Sequence, residues 1–184
     1  MSTRRSRLAR PRSAFLLTPR CEVQTRSGPA SCVDTDGGGC TALFVHGVGT
    51  SSFLWRHVFA QLEGERRCVA VDLPLHGRTP ATVGQDFSLS ALAEFVGDLC
   101  DAVGLADVDL VANDTGRAVA QILAARQTGR LRTLTLTNCE MHGHVPPSAF
   151  LPTVLLARAG LLARSDPRLL RDLSRASTRV YGRL

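Results

Sequence analysis

The sequence predicts an α/β protein built on a mostly parallel sheet with helices on its faces. Three observations carry this. Short apolar runs alternate with segments of helical spacing from residue 41 to residue 138. Turn-forming residues close the runs, as in "HGVG", "LPLHGRTP" and "NDTG". The chain has 184 residues with 44% hydrophobic content, enough to bury a real core.

The elements follow in order. Strand-like pieces at 21–26 and 30–35 are joined at Ser27-Gly28-Pro29, and "DTDGGG" (34–39) makes a tight connection. "TALFVHG" (41–47) is a third strand running into a turn. Ser51 and Ser52 are N-cap candidates for a helix over 53–63. The fourth strand is 67–72. Leu89, Leu92, Ala93, Val96, Leu99, Cys100 and Val103 step by threes and fours, which makes 88–103 an amphipathic helix. A strand at 107–112, a helix at 116–127 and a strand at 132–138 complete the alternation, which parallel crossovers require. From Pro146 onward the chain is rich in Leu, Ala and Arg and reads as short helices, broken near Asp166-Pro167. No internal repeat is visible. The expected organisation is an Arg-rich disordered tail at 1–19, a core at 20–145 and a helical extension at 146–184.

Charge narrows the function classes. The formal net charge of +6 sits at the ends: six Arg and no acid in residues 1–20, and seven Arg against Asp166 and Asp172 in 158–184. The middle is mildly acidic, which argues against nucleic-acid recognition by a folded face. All 22 basic residues are Arg, which reads as codon bias. The apolar part of the start, Ala14 to Leu17, is shorter than a signal peptide needs, and no run is long enough to span a bilayer. Cysteines 21, 32, 40, 68, 100 and 139 show no zinc spacing and read as reduced core thiols of a cytoplasmic protein.

The stretch "DLVANDTGRAVAQILAA" (109–125) carries the chemistry. Asp114 falls at the join between an apolar strand and a helix. Small residues, Ala112 and Gly116, stand two positions to either side of it, as a sharp strand-to-helix turn needs. A carboxylate attacks carbon without first losing a proton, and a helix N-terminus helps keep it ionised. The alternative for the same residue is an N-cap aspartate with no catalysis.

Four segments together resemble the α/β-hydrolase family. "FVHGVGTSSFLW" (44–55) resembles its His-Gly loop, "VDLPLHGRT" (71–79) its Asp-x-Pro-x-His-Gly turn, "VANDTG" (111–116) its nucleophile elbow and "LTLTN" (134–138) its sixth strand. The resemblance implies an α/β-hydrolase fold, incomplete at about six of eight strands, followed by the start of a helical cap. It implies Asp114 as nucleophile, as in haloalkane dehalogenases and one group of epoxide hydrolases, attacking a small ester, alkyl halide or epoxide. The backbone N–H groups of Val48 and Thr115 would form the oxyanion hole. His46, Gly47, Trp55 and Asn138 would brace turns or wall the pocket, and His76 would brace its turn. No cofactor or metal is implied.

Several residues depart from the pattern. Thr115 stands where dehalogenases place Trp, Val48 where an Asn often lies, and Arg117 where a second Gly is common. The His46-Gly47-Val48-Gly49 loop lacks the proline of epoxide hydrolases, whose two cap tyrosines have no match beyond Tyr181. The resemblance places the catalytic His and acid beyond strand 6, so the chain is expected to be truncated within its cap. Glu140 is a stand-in acid, and His142 and His144 are loop residues near the cap entrance. The expected partners are a small-molecule substrate and, through the exposed edge of strand 6, a second copy of the chain; neither nucleic acid nor membrane is expected. The second hypothesis is a catalytically inactive or non-enzymatic fragment.

Overall fold

The computed structural model describes residues 15, 18–62, 64–138 and 155. By compactness the chain divides into Met1–Cys139 and Glu140–Leu184, and the sheet with its helices lies wholly within the first unit. Six strands, β1 (Arg20–Thr25), β2 (Gly28–Asp34), β3 (Thr41–Val45), β4 (Arg67–Asp72), β5 (Val108–Asn113) and β6 (Leu131–Thr137), form one sheet. Their order is β1-β2-β4-β3-β5-β6. β2 pairs antiparallel with β1 and β4, and the other ladders are parallel. The predicted α/β class with a mostly parallel sheet is the observed one.

Alternation along the strands divides the core into two layers. Leu43, Val45, Val69, Val71, Leu110 and Ala112 face α2 (Leu89–Ala102) and α3 (Gly116–Arg126), burying Phe95, Val96, Leu99, Val119 and Leu123. Ala42, Phe44, Cys68 and Ala70 face the other way and bury Trp55 and Phe59. Phe59 lies on α1 (Arg56–Leu62). β3 is central, hydrogen-bonded to β4 on one side and β5 on the other. β6 has β5 as its one strand neighbour among the described residues, and most of its side chains are exposed.

Four local features differ from the expectation. The predicted helix at 53–63 begins as a 3-10 turn, Ser52–Trp55, because Ser51 accepts the Phe53 N–H. The β1–β2 turn is Arg26-Ser27, earlier than expected, and Pro29 falls inside β2. Arg26 and Ser27 both donate to the buried Asp98 carboxylate on α2, at 2.6 and 2.5 Å, which fixes the turn there. A 3-10 turn, Thr128–Arg130, leads into β6. Phe15, expected in a disordered tail, is buried and meets Phe59 edge-on at 5.2 Å. An apolar ring so close to an aromatic cluster is stabilised by burial, so the core reaches further towards the N-terminus than residue 20 at this position. The rest of the tail and the 146–184 extension fall outside the described residues, apart from Leu155.

Candidate active site

Three loops meet where β3, β4 and β5 end. The first is His46-Gly47-Val48-Gly49, the second runs from Leu73 to Thr79, and the third is the β5–α3 join at Asp114.

Asp114 holds φ of 53°, a left-handed conformation that is unusual outside glycine. Its N–H donates to the Thr137 carbonyl at 3.4 Å, extending the β6 ladder, and its carbonyl accepts the Arg117 N–H at 3.0 Å, opening α3. A residue held between a strand and a helix in this way has its side chain lifted out of both. Thr115 takes the N-cap position of α3 without a side-chain capping bond. Two glycines make the approach possible. A Cβ on Gly47 would lie 2.5 Å from Asp114 Oδ2 and 2.6 Å from its Cβ. A Cβ on Gly116 would overlap the His46 carbonyl oxygen of the neighbouring strand end. The small residues of the elbow are therefore needed on both of its sides.

One of the two N–H groups expected to form an oxyanion hole is engaged within the protein. The Val48 N–H, expected to face the pocket, donates to Thr115 Oγ1 at 2.8 Å. The cause is the residue after Asp114: a threonine carries a hydroxyl acceptor on Cβ, close enough to tie the elbow to the His-Gly loop. That bond was hidden in the sequence, although Thr115 itself was visible as a departure.

Both nearby histidines hold loops. His46 is fully buried. Its Nε2 accepts the Leu73 N–H at 3.0 Å, so Nδ1 carries the proton and donates to the Gly47 carbonyl at 2.7 Å. His76 repeats the scheme, accepting from the Gly49 N–H at 3.3 Å and meeting the Pro74 carbonyl through Nδ1 at 2.9 Å. Burial pushes the His46 pKa down from 6.5 to about 4, so the ring is neutral in the fold. Unfolding lets it protonate. Its contribution is present above pH 6.5 and is lost as pH falls towards 4, a change on the order of 3 kcal/mol. We expect the stability difference between the native chain and His46→Asn to shrink over that range in denaturant titrations. A difference that stays constant with pH would exclude a buried neutral ring.

Asp72 is a hub that sequence reasoning passed over. The buried carboxylate accepts from the Ser52 N–H at 2.7 Å, the Arg78 N–H at 3.1 Å and the Arg20 guanidinium. Thr79 Oγ1 donates to its carbonyl at 2.6 Å. The signal was its place at a strand end, opening the Asp-x-Pro-x-His-Gly turn.

Trp55 is buried against Phe44 at 5.1 Å, in the aromatic layer, and its Nε1 has no hydrogen-bond partner among the described residues. Asn138, at φ 52°, is exposed just beyond β6. Glu140, His142 and His144 lie outside the described residues. A groove of about 580 Å³ lined by Asp101, Leu105 and Arg130 lies at the other end of the sheet, before β5 rather than after it, and takes no part in the elbow. Among the described residues no three His, Cys, Asp or Glu side chains gather to hold a metal, and no helix is long and apolar enough to cross a membrane.

A sheet of this order, with a strained acidic residue between its fifth strand and the following helix, defines the class as hydrolase-like α/β. The family model described as alpha/beta hydrolase fold matches residues 43–180, and the chain belongs to that family. Among curated proteins it is 37% identical over 98 residues to a haloalkane dehalogenase of Agrobacterium fabrum, covering 53% of this chain and 32% of the relative. It is 31% identical over 121 residues to a haloalkane dehalogenase of Mesorhizobium japonicum, covering 66% and 39%. The crystal structure of the haloalkane dehalogenase DatA from Agrobacterium tumefaciens matches with a TM-score of 0.61 at 33% identity, covering 68% of this chain and 43% of that one. The aligned part thus spans 32% and 39% of the length of these two curated relatives.

Proposed function

We propose that this chain carries the nucleophile of a hydrolase that acts on small apolar electrophiles through an aspartyl ester on Asp114. One observation supports it above the others: an aspartate holds φ of 53° where β5 turns into α3, packed against Gly47. In the proposed step a carboxylate oxygen of Asp114 attacks the electrophilic carbon. With an alkyl halide the C–halogen bond breaks and the halide departs with its electron pair; with an epoxide one C–O bond breaks and the oxygen keeps the pair as an alkoxide that stays on the esterified product. The haloalkane dehalogenase relatives favour an alkyl halide.

Hydrolysis of the ester needs a base near its carbon. His46 and His76 hold loops through both ring nitrogens, and His57 is exposed on α1. With these residues alone the chemistry halts at the ester. The test is intact-mass spectrometry of the 184-residue chain after incubation with alkyl halides and epoxides, with Asp114→Asn as control. A single adduct on Asp114 without turnover is the expected result. Sustained turnover lost in Asp114→Asn would show that a base acts from outside the described residues.

A second reading, an inactive family member, is favoured by the Val48 N–H being already engaged by Thr115. It predicts no adduct at all.

A further inference from the structure

The β1–β2 hairpin sets two thiols side by side. Cys21 pairs directly with Cys32 in the antiparallel register, and directly opposed residues project from the same face of a sheet. Cys32 is buried in the layer beneath α2, and Cys21 is half-buried against the same layer. Directly paired Cα atoms lie about 4.5–5.5 Å apart, within the roughly 4.4–6.8 Å that a disulfide bridges. Both residues are free thiols in this structure.

The pair is asymmetric. β1 has β2 as its one strand neighbour among the described residues, and Cys21 on it is half-buried. Cys32 sits behind it on β2, which is paired on both sides. Burial, helped by the neighbouring Cys21, pushes the Cys32 thiol up to about 12.

The geometry points to a modification site: Cys21 and Cys32 form an oxidisable dithiol that a small-molecule disulfide such as oxidised glutathione closes into a cross-strand bridge. The Cys21 thiolate attacks one sulfur of oxidised glutathione, forming a mixed disulfide and expelling one glutathione thiolate. Cys32 then gives its proton to solvent and attacks the Cys21 sulfur, expelling the second glutathione. Two protein thiols are oxidised and one glutathione disulfide is reduced to two thiols. Both steps run through a thiolate, so bridging quickens as pH rises. β2, β4 and β3 separate β1 from β5. The bridge therefore staples the edge hairpin and leaves Asp114 alone.

The test oxidises the full native chain with oxidised glutathione at pH 7 and pH 8, blocks remaining thiols by alkylation and digests with trypsin without reduction. We expect residues 21–26 linked to residues 27–56, two hydrogens lighter than the separate peptides, with faster bridging at the higher pH. Residues 27–56 also contain the exposed Cys40. The linkage must therefore persist in Cys40→Ser and disappear in Cys32→Ser. A mixed disulfide on Cys21 that never resolves would overturn the proposal. So would a linkage that Cys40→Ser abolishes, or one found only in covalent dimers.

Discussion

Gly116→Ala is expected to destabilise the chain by about 3 kcal/mol, lowering the thermal midpoint by roughly 6–12 °C. A methyl group there would overlap the His46 carbonyl oxygen and stand 2.8 Å from that of Val45. Both are main-chain atoms at the end of the central strand β3, which is held by ladders on each side. No flexible side chain can yield, so relief requires moving α3 away from the sheet and opening the layer around Val119 and Leu123. Thermal melts check this, with Gly129→Ala as control, since nothing lies within 4 Å of a Cβ built at Gly129. A Gly116→Ala midpoint equal to that of the control would mean that α3 does not press on the end of β3.

Asp72→Ala should be as severe, at about 3–5 kcal/mol, the range for breaking a buried ion pair from one side. The loss leaves the Arg20 guanidinium and the Ser52 and Arg78 N–H groups without their common acceptor. These belong to β1, to the turn before α1 and to the loop after β4, so three segments loosen at once. Asp72→Asn keeps the volume and one acceptor oxygen, and we expect it to lose about half as much. Gly77 shows how tightly the carboxylate is enclosed: it holds φ of 55°, and a Cβ there would overlap the Asp72 side chain. Urea titration of the two variants decides the matter. Equal, small losses would reduce Asp72 to an ordinary surface-type pair.

Much of the fold was legible because strand and helix periods differ and because turn residues sit where the chain reverses. The alternation from β3 to β6 could be read directly from Leu43, Val69, Leu110 and their neighbours. The hairpin turn could not, because Asp98 on α2 fixes it from a distance of 72 residues along the chain. Phe15 stood in an Arg-rich stretch whose composition spoke for disorder, and an aromatic cluster built from α1 outweighed that composition. Asp114 was legible because its small neighbours are a local requirement of the turn. The bond between Val48 and Thr115 was not, since it joins residues 67 apart and depends on how two loops converge. Asp72 was missed for a related reason: of the partners of its carboxylate, Arg78 is close in sequence, but Arg20 and Ser52 lie 52 and 20 residues away.

The strand order has a consequence for how the sheet is assembled. β3 is made early, yet one of its two ladders is completed only by β5, after β4 and the whole of α2 have been synthesised. Until then this central apolar strand has one bare flank. Such pairings have high contact order, so the entropy of closing a long loop is lost before the contacts that offset it are made. A ribosome that pauses between β4 and β5 would hold that flank open, and another nascent chain could pair with it before β5 arrives.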